Sequence, residues 1–309
     1  MSLKNIIKDI NLALFIFITS LIIYIVRCHL VMLDGKVTQF WGSFINLDFY
    51  SYYKMIFFLT ASFFLLITFL KYVDLNGIKK TNYYIPAAVY SIFAVLSSFK
   101  AEYKEIVIKG FPDRYENIFV LLGYLLLVVV AVNIVDNKKS FKLILKALFI
   151  SAFILAIHGI LQFYNYDLLA TEFGRDLITP DGLEFFVDRL SFIGKRVIYS
   201  TMYNPNYVGS YASMLVILVL GLYSSSQDKK KTFLLGIFST LLFAFLIGSR
   251  SRAGFMGFIA GTVIILYMQR QFLKKHWLRI FIIFTAFTLV MVKCVTRYKL
   301  WMNPIFHNP

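Results

Sequence analysis

The stretch TFLLGIFSTLLFAFLIGSRSRAGFMGFIAGTVIILYM, residues 232–268, decides the fold class of this chain. Two almost wholly apolar runs, 233–249 and 253–268, are joined by a short turn that holds Arg250 and Arg252. A helix needs about 20 residues to cross roughly 30 Å of hydrocarbon, and both runs approach that length. They are apolar on every face, which is typical of membrane-spanning helices and not of the alternating strands of a barrel.

The same pattern recurs along the whole chain of 309 residues, of which 59% are hydrophobic. The mean hydropathy of +0.73 lies far outside the range of soluble proteins. The first apolar run is long and lacks a small-x-small cleavage pattern, so we expect a retained span. We predict an all-α fold, a bundle of about nine transmembrane helices, with 1–309 as a single membrane-embedded domain. The other seven predicted spans are 10–33, 55–73, 83–99, 117–135, 143–164, 207–223 and 278–296.

The net charge of +16 follows the predicted topology and does not indicate nucleic-acid binding. If the N-terminus is cytoplasmic and the spans alternate, half of the 32 basic residues fall at short inner loops and helix ends, with only four of the 16 acidic residues. The outer side holds the other half of the basic residues but twelve acids, spread over longer loops. This asymmetry is the positive-inside rule, so we predict a cytoplasmic N-terminus and membrane lipids as neighbours.

The two cysteines, Cys28 and Cys294, both fall near predicted outer ends of helices. A disulfide between them is one interpretation, but isolated buried thiols fit better. Neither cysteine has neighbours with metal-ligand spacing, and we expect no metal site.

The longest outer loop, 165–206, contains a segment with helical periodicity, GLEFFVDRLSFIGKR at 182–196. Its apolar stripe favours an amphipathic helix lying on the outer membrane surface. In the alternative interpretation, Glu184 or Asp188 is a general base, since both carboxylates share one helix face.

The end of that loop, KRVIYSTMYNPNYVGSY at 195–211, predicts a helix start. Pro205 biases the chain before it away from helix, so the next span should begin near Asn206, with Asn206 as its cap. Free N–H groups at a helix start bind anions, and Arg196 is close enough in sequence to contribute. The alternative is an ordinary capped helix start with Arg196 reaching to lipid headgroups.

The turn GSRSRAGFMG, 248–257, also precedes a predicted helix start at which an anion can bind. Its glycines allow two helices to approach closely, and Ser249 or Ser251 can cap the second helix. One arginine at a helix end is an ordinary interfacial anchor, but the positive-inside rule gives no reason for Arg250 and Arg252 together on the outer side. Because guanidinium grips phosphate oxygens bidentately, we favour an anion site here.

Two weaker signals lie elsewhere. His158 and Gln162 are one helical turn apart in an apolar span, where polar groups either bond a neighbouring helix or line a cavity. Arg114 and Glu116 flank the start of another span, and the alternative to a functional role is a simple surface ion pair.

Together these segments resemble the bacterial O-antigen ligase and O-antigen polymerase family over about residues 80–300. The matching segments are FPDRYENIFVLLGYLLL (111–127), HGILQFY (158–164), RVIYSTMYNPNYVGSYAS (196–213) and IGSRSRAGFMGF (247–258). Each segment alone is a weak signal of the family, whereas the four segments in this order and spacing are a fairly specific signal.

The resemblance implies metal-independent, cofactor-free glycosyl transfer at the outer face of the bacterial cytoplasmic membrane. The donor is a glycan on undecaprenyl diphosphate, and a hydroxyl of a glycan or lipid acceptor attacks the anomeric carbon. Arg252 best matches the family's Ser-Arg position and Arg250 is nearby, while Arg196 matches the arginine before Asn-Pro-Asn. These three, with Asn206, are the expected diphosphate ligands. The supporting positions are Asn204, Gln162 and Arg114.

The sequence departs from the family pattern at 297–309, where family members have a large outer loop with a functional histidine. His307 is a candidate for that histidine, and the departure predicts a truncated or incomplete copy. Two other functions stay open: a transporter or flippase of an anionic lipid-linked glycan, which uses the same arginines without bond cleavage, and an inactive remnant.

Overall fold

The computed structural model describes residues 3–32, 45–112, 114–185, 196–271 and 276–302. The chain divides into two compact units, described in turn. The first comprises Met1–Ser151 and Asp176–Phe185, and the second comprises Ala152–Arg175 and Phe186–Pro309. The single membrane-embedded domain stays a prediction.

The first unit is mainly helical. Helix α1, Leu3–Ile16, continues through a π-helical turn, Phe17–Leu21, and a 3₁₀ turn, Ile22–Tyr24. The elements that follow are β1 His29–Met32, β2 Ile45–Asp48, α2 Tyr52–Asn76, α3 Tyr84–Lys100, α4 Lys104–Lys109, α5 Ile118–Ile134 and the start of α6 Lys138–Phe163.

Apolar side chains from α1, α2 and α5 form the core of this unit. On α2 the buried residues recur at helical spacing, from Phe58 through Leu65 to Phe69. Asn11 of α1 lies in this core, where it accepts a hydrogen bond from the Thr68 hydroxyl at 2.8 Å. Because an apolar environment offers a polar side chain few partners, this bond fixes the contact between α1 and α2.

The predicted first span at 10–33 is wrong at its C-terminal end, because the helical structure ends at Tyr24 and residues 29–32 form a strand. Strand β1 pairs antiparallel with β2, with His29 opposite Asp48. The Asp48 carboxylate accepts from the backbone N–H groups of Ser51 and Tyr52 at 2.9 and 2.8 Å, at the start of α2. The all-α prediction is therefore corrected to a nearly all-α fold in which the described residues include one two-stranded antiparallel hairpin, β1 and β2. Apolar composition alone did not distinguish the strand from the end of a span.

The second unit contains the end of α6, a 3₁₀ turn and five further helices or parts of helices. Helices α6 and α7 contribute residues to both units. The elements are the 3₁₀ turn Leu168–Ala170, α7 Glu172–Ile178, α8 Pro205–Ser225, α9 Lys229–Ser249, α10 Arg252–Met268 and α11 Trp277–Met302.

Helix α8 is the centre of the second unit and packs against both α9 and α10. Its fully buried residues Val208, Ala212 and Val216 lie at successive turns. Helix α9 also packs against α11, where the Phe243 and Phe287 rings stack with centroids 4.2 Å apart.

By length and composition the chain is a multi-pass membrane protein. Six helical segments in the described ranges are long and apolar enough to cross a bilayer. Three shorter apolar helices, α3, α5 and α10, coincide with the remaining predicted runs. The count of nine spans and the cytoplasmic N-terminus stay predictions. Both cysteines are free thiols, Cys28 buried and Cys294 half-buried.

Candidate functional site

The turn between α9 and α10 places both arginines at helix ends. Arg250 follows the last residue of α9 in a left-handed conformation, with φ of 58°. Ser251 caps α10, since its hydroxyl oxygen accepts from the Gly254 N–H at 3.1 Å. Arg252 is the first residue of α10, and both arginines are exposed. Of the two predicted caps, Ser251 is confirmed.

The segment before α8 is unusual in its backbone. Arg196, Ser200 and Tyr203 all have positive φ, at 68°, 51° and 63°. A left-handed conformation costs a residue with a side chain about 1–2 kcal/mol. Three such residues within one short segment persist only because the surrounding structure holds them.

Helix α8 begins at Pro205, and Asn204 is its cap. The Asn204 side-chain oxygen accepts from the Asn206 N–H at 2.9 Å. The prediction that Asn206 caps the span is therefore wrong by two residues. Proline lacks an N–H and has a helical φ, so it fits the first helical position, and the cap moves to the residue before it. The Asn206 side chain is exposed in the first turn.

The segment before α8 packs on the last turn of α9, directly before Arg250. The Ile198 N–H donates to the Gly248 carbonyl at 3.0 Å. Ile198 is buried between two glycines, because an added Cβ at Gly159 or Gly248 would lie 2.5 or 2.4 Å from its side chain. A Cβ at Gly254 would lie 2.5 Å from the backbone of Gly209. The sequence segments that carry Arg196, Arg250 and Arg252 therefore meet in this unit.

Arg196 lies against the end of α6. Its Nη1 donates to the Phe163 carbonyl at 3.4 Å, and its guanidinium carbon is 6.0 Å from the centre of the Phe163 ring. Its Nε atom is buried and has no hydrogen-bond partner within the described part of the chain. A buried unpaired donor is costly, and a bound anion is one way to satisfy it.

A polar cluster next to Arg196 holds the strained segment. Gln162 is buried, accepts from the Ser200 N–H at 2.7 Å and donates to the Ser200 carbonyl at 3.3 Å. His158 lies 3.4 Å from the Ser200 hydroxyl and 3.7 Å from the Asp167 carboxylate. Tyr199 donates its hydroxyl to the other Asp167 oxygen. His158 and Gln162 contact Asp167 and the segment before α8, and neither of these partners lies in a neighbouring helix.

Asp167 is the charge at the centre of this cluster. Burial raises the pKa of its carboxyl, but hydrogen bonds from His158, Tyr199, Gln162 and the Leu169 N–H outweigh that effect. The net result is a pKa below its ordinary value, because these groups stabilise the carboxylate. Asp167 therefore stays ionised and fixes the position of Tyr199 and Gln162.

Sequence reasoning missed Asp167, Tyr199 and Ser200 as members of this cluster. The five-residue spacing from Gln162 to Asp167 crosses the end of α6, so helical periodicity does not relate them. The available signal was a carboxyl directly after a span that already contains His158 and Gln162.

The other predicted site residues lie elsewhere. Glu184 belongs to the first unit and is exposed, and its carboxylate accepts from the Gly182 N–H at 2.9 Å. Hydrogen bonds from its own backbone N–H and from the Gly182 N–H lower the pKa of this carboxyl. Arg114, also in the first unit, is exposed and forms no ion pair with Glu116, both being described residues. Asp188, His307 and most of the predicted interfacial helix at 182–196 lie outside the described residues.

Replacing Asp167 by asparagine is expected to destabilise the second unit at neutral pH, by about 1–3 kcal/mol for the lost hydrogen bonds to a charge. Because folding lowers the pKa of Asp167 below 3.8, its stabilisation is present above that pH and is lost as the pH falls further. The difference between wild type and Asp167→Asn should therefore shrink below about pH 3.8. Thermal unfolding in detergent across this range measures it, with the exposed Asp176→Asn as control. Equal stability of wild type and Asp167→Asn at neutral pH would contradict the role of the cluster.

Comparison with known proteins gave no match to a family model, to a curated protein or to a solved structure. Among the described residues, no group of three or more His, Cys, Asp or Glu side chains could hold a metal ion.

Proposed function

We propose that this protein transfers a glycan from undecaprenyl diphosphate to an acceptor hydroxyl at the outer face of the bacterial cytoplasmic membrane. In this proposal it is a surface-polysaccharide ligase or polymerase of the O-antigen type. The chain crosses the membrane about nine times from a cytoplasmic N-terminus, which puts the turn between α9 and α10 outside.

The observation that supports the proposal is the contact between the two arginine-bearing segments. The Ile198–Gly248 hydrogen bond and the Gly209–Gly254 contact hold Arg196 near the turn with Arg250 and Arg252. The buried Nε of Arg196, which has no hydrogen-bond partner among the described residues, is a donor for a phosphate, and the exposed residues Arg250 and Arg252 add two positive charges. Arginine keeps its charge at any physiological pH, so no metal ion is needed to neutralise a diphosphate.

The proposed chemistry depends on this charge. When the acceptor oxygen bonds to the anomeric carbon, the hydroxyl proton is released to solvent, the bond from that carbon to the lipid diphosphate breaks, and negative charge develops on the departing phosphate. Donors fixed in advance around that phosphate stabilise the transition state more than the ground state. The polar cluster around Asp167 positions the Arg196 segment and does not itself contact the substrate in this proposal.

A single assay separates this proposal from transport. Purified protein in detergent is incubated with an undecaprenyl-diphosphate-linked glycan and a hydroxyl acceptor, and free undecaprenyl diphosphate is measured. A transferase releases it in step with glycosylated acceptor. Intact donor after incubation, together with movement of the donor across vesicles that contain the protein, would favour a flippase instead.

A further inference from the structure

A long groove in the second unit runs between α9 and α11, and it begins at the end of α9 opposite to Arg250. Its volume is about 670 Å³. The lining residues form one continuous face of each helix, since they recur at intervals of three and four. The α9 face runs from Lys229 to Ala244, and the α11 face runs from Arg279 to Val290.

The groove has one charged end and is otherwise almost entirely apolar. Lys229 and Arg279 lie at the first residues of the two faces, so both cations are at the same end. Two contacts to the end of α8 and the residue after it hold Arg279 there: its Nη1 donates to the Ser226 carbonyl at 2.9 Å, and the Tyr223 hydroxyl donates to the Arg279 carbonyl at 3.0 Å. A guanidinium can donate five hydrogen bonds, and the bond to Ser226 uses one of them.

The length of the groove matches one leaflet of a bilayer. The α9 face spans fifteen helical rises of about 1.5 Å from Lys229 to Ala244, or about 22 Å, and the α11 face spans eleven rises from Arg279 to Val290, or about 16 Å. Half of a hydrocarbon core is roughly 15 Å. Small residues, Gly236, Ala244 and Ala286, leave the space open along this length. The groove also opens outward, because Phe233, Ile237 and Ile282 at its edges are each more than half exposed.

We propose that this groove binds one anionic phospholipid, with the phosphate between Lys229 and Arg279 and one acyl chain along the apolar length. The charge at the mouth selects an anionic headgroup, and the leaflet-long apolar wall selects a chain and not a free phosphate. The positive-inside rule predicts that this end is cytoplasmic, where anionic lipids are enriched. The site is separate from the proposed diphosphate site and does not depend on glycosyl transfer.

Native mass spectrometry of the delipidated protein tests the proposal. The protein is mixed with equal amounts of phosphatidylglycerol and phosphatidylcholine of the same chain length. Two cations near the headgroup predict a preference for phosphatidylglycerol of about 30-fold. Lys229→Gln should reduce that preference about 5-fold. Lys230→Gln is the matched control, since Lys230 is exposed on the same turn but does not line the groove.

A second variant tests the apolar part. Ala286→Phe fills the groove and should lower binding of both lipids, while its thermal unfolding midpoint, measured alongside, should stay close to wild type. Equal binding of the two lipids by the wild type, or a Lys230→Gln effect as large as that of Lys229→Gln, would overturn the proposal. Displacement of the lipid by inorganic phosphate would also overturn it, because the site would then be a phosphate site.

Discussion

Arg252→Ala is expected to reduce glycan transfer by at least about 100-fold, the usual effect of removing one donor that stabilises transition-state charge. Arg252 is exposed at the first residue of α10, where its guanidinium adds to the positive end of the helix dipole. Transfer is measured as undecaprenyl diphosphate released by purified protein. Arg252→Lys should fall between alanine and wild type, because lysine keeps the charge but loses the bidentate fork.

Arg270→Ala is the control for this result. Arg270 follows the other end of α10, and its guanidinium lies 4.8 Å from the centre of the Tyr267 ring. Its loss removes the same charge from the same region of sequence without touching the proposed site, so transfer should remain at the wild-type rate. An Arg252→Ala protein that inserts normally and transfers glycan like wild type would refute the role of Arg252.

Gly254→Ala is expected to destabilise the second unit by about 2–3 kcal/mol, in the range of overpacked cores. The added Cβ would lie 2.5 Å from the backbone carbon of Gly209 and 2.6 Å from its carbonyl oxygen. Because these are backbone atoms at the crossing of α8 and α10, the clash is relieved only if the two helices separate. Thermal unfolding in detergent measures the loss, and transfer should fall with it because the Arg252 turn moves away from α8.

Gly221→Ala is the matched control at the same helix pair. A Cβ at Gly221 would meet only the ends of the Ile265 and Gln269 side chains, at 3.5 and 3.9 Å. These are ordinary contacts, and alanine favours a helix over glycine by about 1 kcal/mol. Stability should therefore be unchanged or slightly higher. A Gly254→Ala protein as stable as Gly221→Ala would show that the close approach of α8 and α10 is not needed.

The helices were predictable because a membrane span leaves a strong composition signal. Each of the nine predicted apolar runs coincides with a helix, although the first ends earlier than expected. The hairpin was not predictable in the same way. Its strand β1 is apolar and continuous with the first run, and its pairing depends on residues about 16 positions later in the chain. No change in amino-acid composition marks the limits of the two compact units, so the sequence did not predict this division.

The candidate site was predictable where its signals are local. Four of its residues belong to short patterns at helix ends, and the structure places each at such an end: Pro205, Arg250, Ser251 and Arg252. The Asp167 cluster was not predictable, because it joins residues 158–167 to 199–200 through tertiary contacts. The assignment of the cap to Asn206 failed for a smaller reason, the preference of proline for the first helical position.

The most direct test of the central claim is the binding of undecaprenyl diphosphate itself. Affinity is measured for the wild type, for Arg250→Ala/Arg252→Ala and for Arg196→Ala, with undecaprenyl monophosphate as the comparison ligand. The wild type should prefer the diphosphate, and each variant should bind it about 10-fold more weakly or worse, the usual cost of losing a hydrogen bond to a charged group. Wild-type affinity in both variants, or equal affinity of the wild type for the two lipids, would contradict a diphosphate site at these arginines.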